Sequence, residues 1–177
     1  MAKNKEELIT QVENTKALYV LGLGSICLLS RKEAPAILKD SHVNFGGQTQ
    51  TFKMMAGQLE DKKQRQWILE DFHKIFLRFY IRETFEIIMD YCKQSKQFGL
   101  MKNQPWFHFG RLIRNCMAHN FKWLFDDKKD KPLLPITLRT NTIDLAMDGQ
   151  PLTMAFFNQS HAWNLHTDMS LFAKAIN

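Results

Sequence analysis

Apolar residues recur at steps of three and four positions along most of the chain, a spacing that predicts amphipathic α-helices. The first predicted helix covers residues 5–30, and the nearly continuous apolar run Ala17–Leu29 predicts that its second half is buried on most sides. A short helical turn within 31–39, a polar loop over 40–51 and a short helix over 52–59 follow. The N-terminal third is therefore expected to be largely helical.

The strongest helical pattern covers residues 61–97, where an apolar band repeats over about ten turns. Asp61 fits the N-cap position and Gly99 fits a stop signal. After a short polar connection, a second long helix is predicted from Trp106 to Phe125. A connection this short favours two antiparallel helices that are neighbours.

The second long helix has one apolar and one polar face. Its buried stripe is predicted to consist of Leu112, Ile113, Met117, Phe121 and Leu124. The remaining surface carries side chains that packing does not need, namely Arg111, Arg114, Asn115 and His119. Each helical residue turns about 100°, so Asn115 and His119 lie on one line, whereas Arg114 lies about 140° from His119. Arg114 can therefore reach His119 of its own helix only by extending its long side chain. Otherwise His119 of a second copy of the chain has to be the partner.

The pattern changes to alternating polarity with β-branched residues near the C-terminus. Strands are predicted over 134–140, 142–147 and 152–157, with a turn at 148–151, as a hairpin or three-stranded meander. Asn158-Gln159-Ser160 caps a closing helix whose buried side consists of Leu165, Met169, Phe172 and Ile176. The predicted fold class is mostly α: an up-and-down helical bundle with a small antiparallel β-hairpin or meander before the C-terminal helix.

The chain has 177 residues, a length that predicts one domain over 1–177 with a substantial core. Its expected parts are an N-terminal helical part (1–60), a core helix pair (61–126), a β appendage (133–157) and a closing helix (158–177). An apolar fraction of 45% with 24% charged residues is ordinary for a soluble globular protein and unlike that of a disordered one.

The net charge of +6 is concentrated around the second long helix. Residues 93–131 contain nine lysines and arginines and three aspartates, so this segment alone carries an excess of +6. Such a basic segment permits an anionic partner such as RNA but does not establish one.

The three cysteines, Cys27, Cys92 and Cys116, are far apart in apolar helical contexts, which predicts buried thiols in a reducing compartment. The polar N-terminus does not resemble a signal peptide, and the run Ala17–Leu29 is too short to cross a bilayer. We therefore expect a cytoplasmic protein without a membrane partner.

The sequence Arg114-Asn115-x-x-x-His119 resembles the R-x(4–6)-H motif of the HEPN domains, the higher eukaryotes and prokaryotes nucleotide-binding family. A looser similarity in architecture covers roughly residues 60–177. The resemblance implies a metal-independent endoribonuclease that cleaves RNA by 2′-hydroxyl attack, in toxin–antitoxin or phage-defence systems. It also implies a homodimer in which two motifs face one another, an antitoxin as a further partner, and no cofactor or metal.

The residue types of the motif suit this chemistry. Histidine transfers protons near neutral pH, and the planar arginine fork binds phosphoryl oxygens while staying charged. The predicted catalytic residues are Arg114, Asn115 and His119, with Asn115 orienting the imidazole or holding a phosphate. Candidates for substrate binding are Arg111, Asn120, Lys122 and His108, and Tyr80 and Arg82 of the first long helix are further candidates to line the cleft.

Two alternatives remain open for the motif. Arg114 and His119 can be part of a solvated helix face, with Arg114 paired to an acid. The chain can also be a non-catalytic HEPN-like module that binds RNA or dimerises. A zinc site is disfavoured, because Cys116-x-x-His119 has a usable spacing but no second pair completes a tetrahedral site.

The other candidate residues favour structural roles. His161 and His166 are expected to be surface or capping histidines, and His73 an interior or boundary residue. Close helix packing explains Gly22-x-Gly24 better than a dinucleotide loop, since a third glycine and a preceding strand are missing. A core or a dimer interface is a more frequent use than base stacking for the neighbouring aromatic residues, which are Trp106, Phe107, Phe109, Phe121 and Trp123.

Overall fold

The structure is a computed structural model that describes residue 2 and residues 4–177. In these residues it has seven α-helices: α1 (Lys5–Leu29), α2 (Ala34–Lys39), α3 (Lys53–Glu60), α4 (Lys62–Gln94), α5 (Phe98–Lys102), α6 (Phe107–Ala118) and α7 (Gln159–Ala175). Two antiparallel strand pairs, β1 (His42–Phe45) with β2 (Gln48–Thr51) and β3 (Ile136–Leu138) with β4 (Asn141–Ile143), precede the C-terminal helix. This architecture confirms the predicted mostly α-helical bundle with a small antiparallel β element before its last helix.

Two compact units make up the described chain. The first contains the described residues up to Ala17 together with Leu77–Asn177, and the second contains Leu18–Phe76. Both α1 and α4 cross a unit boundary, so each helix begins in one unit and ends in the other. All seven predicted catalytic and substrate-binding residues lie in the first unit. The organisation as one domain stays a prediction.

The core of the first unit is formed largely by aromatic side chains of α4, α6 and α7. The ring of Phe85 on α4 lies 5.7 Å from that of Phe107 on α6, and Trp106 lies 5.8 Å from Phe172 on α7. The aromatic residues expected in a core are indeed mostly buried, and these are Trp106, Phe107, Phe109 and Trp123. Burial of large rings supplies much of the stability of such a core.

The helix starts that were predicted from capping residues are confirmed. Asp61 Oδ1 accepts the backbone N–H of Gln64 at 2.8 Å, which caps α4. Asn158 Oδ1 accepts the N–H of His161 at 3.1 Å, and His161 Nδ1 accepts the N–H of Asn158 at 3.3 Å, which makes a capping box for α7. The predicted inner side of α7 is also buried, and it consists of Leu165, Met169, Phe172 and Ile176.

The end of α4 differs from the prediction. The helix ends at Gln94, and Lys96 takes a left-handed backbone conformation with a φ of 59°. The N–H of Gln97 donates to the carbonyl of Cys92 at 2.7 Å, which closes the helix in a Schellman-type arrangement without glycine. The predicted stop at Gly99 is therefore wrong, because Gly99 lies within the next helix, α5.

The second half of α1 is buried on one side only, so the prediction for Ala17–Leu29 is wrong. Tyr19 and Gly22 are buried, and a Cβ on Gly22 would lie 2.6 Å from the ring of Phe76. This close approach confirms the packing explanation for Gly22, whereas Gly24 borders open space. The other side of the helix exposes large apolar side chains, namely Leu18, Val20, Leu21 and Leu28.

Helix α1 as a whole is long and apolar enough to cross a membrane, judged by length and composition. It is the one helix in the described part of the chain with this property, and 22% of its most apolar window is buried. The sequence prediction considered only the shorter run Ala17–Leu29 and is corrected in this respect. Leu8, Val12 and Tyr19 of α1 are packed inside the protein, so the fold is compatible with a soluble protein.

The segment 40–51 forms a β-hairpin, so the predicted loop is wrong. Strands β1 and β2 pair in antiparallel register, with His42 opposite Thr51. Gly46 and Gly47 form the two-residue turn with φ of +49° and +90°, a conformation that glycine adopts without strain. A Gly-Gly pair between two short segments of alternating polarity is the local pattern that predicts such a hairpin.

The β appendage is a single hairpin of β3 and β4, which confirms the smaller of the two predicted arrangements. Residues Leu145–Met147 form a 3-10 turn, and no strand is found in the described residues 152–157, so the predicted third strand is wrong. The N–H of Leu152 instead donates to the carbonyl of Phe121 at 2.7 Å. This segment therefore pairs with the chain that follows α6 and not with β4.

The predicted burial of the cysteines is confirmed for two of the three thiols. Cys92 and Cys116 are buried, and burial raises the pKa of Cys92 to about 11 and that of Cys116 to about 12. Cys27 is exposed, because it lies on the open side of α1. The prediction of a buried thiol is wrong at that position.

Candidate functional site

Helix α6 carries the predicted motif but ends at Ala118, before the predicted end at Phe125. Asn120 and Phe121 both take left-handed backbone conformations, with φ of 56° and 58°, so the chain leaves the helix axis there. His119 is the C-cap residue, and its N–H donates to the carbonyl of Asn115 at 3.0 Å. The imidazole is therefore placed at the end of the helix and not along its side.

The early end of α6 also changes its apolar face. Three of the predicted inner residues are buried as expected, and these are Leu112, Ile113 and Met117. Leu124 is 47% exposed, so its predicted burial is wrong. The cause is the chain direction after the helix, because the N–H of Trp123 donates to the carbonyl of Gln150 at 2.9 Å. This pairing with a distant segment replaces further helical turns.

The Arg114 guanidinium is held by two polar partners. Its Nη2 forms an ion pair with Glu86 of α4, and its Nη1 donates to Asn115 Oδ1 at 2.7 Å. The guanidinium carbon lies 5.8 Å from the centroid of the Phe85 ring, a cation–π contact. The side chains of Arg114 and Glu86 are 26% and 27% exposed, so water and ligands can still reach the pair.

Glu86 is a functional candidate that the sequence does not predict. Glu86 and Arg114 are 28 positions apart on different helices, so no local spacing connects them. The sequence does predict that the two long helices are neighbours. An acidic partner of Arg114 is therefore expected on the first of them, but the pattern does not say which acid it is. An ion pair between Arg114 and an acid is what the structural alternative for the motif predicts.

The His119 side chain is exposed at the end of α6. Within the described residues it makes no side-chain hydrogen bond or ion pair, with Arg114 or with any other residue. The Asn115 side chain is hydrogen-bonded to Arg114. It makes no hydrogen bond to the imidazole of His119, which the first of its two predicted roles requires. The side chains of Arg114 and Asn115 are thus joined by a hydrogen bond, whereas His119 is bonded to Asn115 through the backbone only.

Arg111 is occupied by an acidic partner. Its Nη2 lies 2.7 Å from Asp130 Oδ1, in an ion pair that is close but not aligned as a hydrogen bond. Asp130 is buried, and its second carboxylate oxygen accepts the N–H of Asp126 at 2.9 Å. The pair anchors the charged loop after α6, so Arg111 has a clear structural role in the described chain.

The same loop is ordered by its own aspartate. Asp126 Oδ1 accepts the backbone N–H groups of Lys129 at 2.8 Å and of Lys128 at 2.9 Å. These hydrogen bonds lower the pKa of Asp126 below its ordinary value. Lys131 Nζ lies 2.6 Å from Asp127, so several charges that gave the segment its basic excess are paired locally.

The remaining predicted substrate-binding residues differ in accessibility. Asn120 and Lys122 are exposed on either side of Phe121, close in sequence to His119. His108 is half-buried, and its buried Nδ1 has no hydrogen-bond partner among the described residues. Burial, followed by the nearby charges of Arg111 and Lys102, lowers the pKa of His108. Both influences favour the neutral form of the imidazole.

Two histidine predictions are confirmed and one is wrong. His161 caps α7, and His73 is half-buried with a pKa lowered by burial. His166 is not a surface or capping residue, because it is only 2% exposed and stacks on Tyr80 at a ring separation of 4.6 Å. Tyr80 is itself fully buried, so its suggested place in a cleft is wrong as well, whereas Arg82 is exposed.

Metal ligands do not cluster in the described part of the chain, where no three His, Cys, Asp or Glu side chains come together as a site. The Cys116 thiol is buried, and its raised pKa keeps it protonated at neutral pH. Zinc binds the thiolate, so this pKa disfavours a site at Cys116-x-x-His119.

A cavity of about 670 Å³ lies elsewhere in the first unit. Its lining includes Trp106, Phe172 and the ion pair between Arg139 and Asp168, whose nitrogen and oxygen atoms lie 2.8 Å apart. None of the seven predicted site residues lines it. The candidate site is therefore a surface at the end of α6 and not part of this cavity.

No family model matches the chain, and comparisons with curated proteins and with solved structures likewise give no match. The resemblance to HEPN domains therefore depends on the motif and its helical, basic setting alone. Any function has to be argued from the residues and contacts described above.

Proposed function

We propose that this protein is a metal-independent endoribonuclease of HEPN type that acts as a cytoplasmic homodimer. One observation carries the proposal: a partly exposed arginine fork, Arg114, is oriented by Glu86 and Asn115 on the helix that ends at an exposed histidine, His119. Arginine and histidine together supply the two functions that RNA cleavage needs in the absence of a metal.

His119 performs the proton transfers in this proposal. An imidazole removes the proton of the 2′-hydroxyl, the 2′-oxygen attacks the adjacent phosphorus, and the bond from phosphorus to the 5′-oxygen breaks. The leaving 5′-oxygen takes up a proton from the imidazolium. The products are one RNA end with a 2′,3′-cyclic phosphate and one with a 5′-hydroxyl, and neither water nor metal is consumed.

Arg114 stabilises the negative charge that develops on the phosphorane. Its fork is held in one orientation, because Glu86 and Asn115 bind different nitrogens of the guanidinium. Asn115 and Glu86 are thus positioning residues that act through Arg114. The exposed side chains of Asn120 and Lys122, next to His119 in sequence, are suited to contact neighbouring phosphates.

A homodimer provides a catalytic partner for both Arg114 and His119. Since no hydrogen bond joins the side chains of Arg114 and His119 in the described chain, the proposal assigns Arg114 of one copy to work beside His119 of the second copy. A two-fold axis then produces two equivalent composite sites. By the HEPN resemblance, such a nuclease acts in a toxin–antitoxin or phage-defence system and is restrained by an antitoxin.

The test is an RNA cleavage assay with His119→Ala. Wild-type protein is expected to cleave single-stranded RNA equally well with and without EDTA and to leave 2′,3′-cyclic phosphate ends. His119→Ala is expected to lower the rate by about 10²–10⁴-fold, the usual contribution of a general acid–base residue. The matched control is His42→Ala, which removes an exposed histidine of β1.

Two results would contradict the nuclease. Loss of cleavage with EDTA would indicate a metal-dependent enzyme. RNA that is bound in a gel-shift assay but stays intact would favour the alternative of a non-catalytic HEPN-like module, in which the Arg114–Glu86 ion pair is purely structural.

A further inference from the structure

We propose that Lys93, Phe98 and Lys102 form a binding surface for single-stranded RNA, called here the Phe98 surface. Lys102 Nζ lies 4.9 Å and Lys93 Nζ 5.8 Å from the centroid of the Phe98 ring. This inference rests on the proposed function, since it assigns the place where the RNA substrate is held beside the cleavage site.

The two lysines of this surface are available for a ligand. Both are exposed, and neither has an acidic partner within 4.0 Å in the described residues, unlike Arg111, Arg114 and Lys131. Both ammonium groups lie against one aromatic ring, so both can move to phosphates when a base stacks on that ring. Part of the local basic excess is thus placed next to an aromatic ring.

The ring at the centre of this surface is firmly positioned. Phe98 begins α5 and is half-buried, and its ring meets that of Phe107 edge-on at 6.1 Å. Phe107 is buried in the core against α4. A base that stacks on Phe98 would therefore meet a fixed platform, which lowers the entropic cost of binding.

Buried aromatic rings connect Phe98 with Arg114 through the core of the first unit. Phe98 contacts Phe107, Phe107 lies 5.7 Å from Phe85, and the Arg114 guanidinium lies 5.8 Å from Phe85. Burial lowers the pKa of His108, and the charges of Arg111 and Lys102 lower it further, so both cations lie near this imidazole. Phe98 and Arg114 are thus both supported by the same pair of packed rings, Phe107 and Phe85.

The combination favours single-stranded RNA over an acidic peptide. Single-stranded nucleic acids bind to surfaces where lysines contact phosphates and aromatic rings stack on bases. Carboxylates of a peptide would engage the lysines but would gain little from the ring. The contribution of the Phe98 ring to binding affinity therefore distinguishes single-stranded RNA from an acidic peptide.

Fluorescence anisotropy with a labelled single-stranded oligouridine tests the proposal. All binding is measured in the His119→Ala background, so that RNA stays intact. Phe98→Leu is expected to weaken binding about tenfold, because stacking is lost while volume is retained. Lys93→Gln with Lys102→Gln is expected to make the slope of log K against log salt less negative by about 1.4, for two phosphate contacts.

The matched control is Lys39→Gln with Lys53→Gln, which removes two exposed lysines of α2 and α3. It is expected to change affinity less than about twofold, since those lysines lie outside the basic segment. Circular dichroism melting of each variant identifies any loss of folding, including any that follows from loss of the lysine contacts with the Phe98 ring.

Several results overturn the inference. These are His119→Ala protein without measurable RNA affinity, Phe98 and lysine variants that bind as the control does, or a polyglutamate peptide that competes equally with the oligouridine. Failure of the proposed function gives a different pattern. RNA binding that depends on the Phe98 surface, without cleavage by protein that retains His119, supports the binding surface and rejects the nuclease.

Discussion

Arg114→Ala is expected to lower the rate of RNA cleavage by about 10²–10³-fold while the protein remains folded. The guanidinium is the group assigned to the developing phosphorane charge, and its removal leaves that charge without a donor. Glu86 stays partly exposed without its partner, so water can solvate the carboxylate and stability changes little. The measurement is the single-turnover cleavage rate at saturating protein, together with the melting temperature.

Two further variants distinguish catalysis from fold support at this position. Arg114→Lys retains the positive charge but loses the fork that Glu86 and Asn115 hold, so it is expected to recover only part of the rate. Arg31→Ala, which removes an exposed arginine, is the control and should cleave at the wild-type rate. Wild-type cleavage by Arg114→Ala would show that the Arg114–Glu86 pair is structural.

The second large effect is expected in the pH dependence of stability, and His166 causes it. Burial lowers the pKa of His166 from 6.5 to about 4, and its Nε2 donates to the Val12 carbonyl at 3.3 Å. In the unfolded chain the imidazole titrates at its ordinary value, so the unfolded state binds more protons between pH 6.5 and pH 4. The free energy of unfolding therefore falls as the pH decreases through this range, by up to about 3 kcal/mol.

Denaturant unfolding at several pH values from 7 to 4 measures this effect in wild type and His166→Gln. Glutamine keeps an N–H donor for Val12 but does not titrate, so the variant should lose the His166 share of the pH dependence. His73 and His108, whose pKa values are also lowered, are present in both proteins and cancel in the difference. Parallel curves for the two proteins would contradict the assignment to His166.

Features that depend on local sequence were predictable, because neighbouring residues determine them. The N-caps at Asp61 and Asn158 bond within three positions, and the inner side of α7 follows helical spacing. The early end of α6 was not predictable in this way. It depends on the pairing of Trp123 with Gln150, which lies far along the chain and outweighs the helical pattern.

The candidate site was predictable only as a set of residue types. The motif identifies Arg114 and His119 from their spacing, but the acid that meets Arg114 is 28 positions away on another helix. The burial of His166 likewise follows from its contacts with α1 and α4, which the local pattern does not contain. Contacts between helices thus determine which polar side chains are paired or buried, and the local sequence pattern does not contain these contacts.

Subunit complementation tests the central claim most directly. Dimers that combine one Arg114→Ala chain with one His119→Ala chain are isolated with two affinity tags and assayed for RNA cleavage. The composite site predicts that such heterodimers regain roughly half of the wild-type rate, because one of the two sites is again complete. Heterodimers as inactive as the two parent variants would contradict a site shared between two copies of this chain.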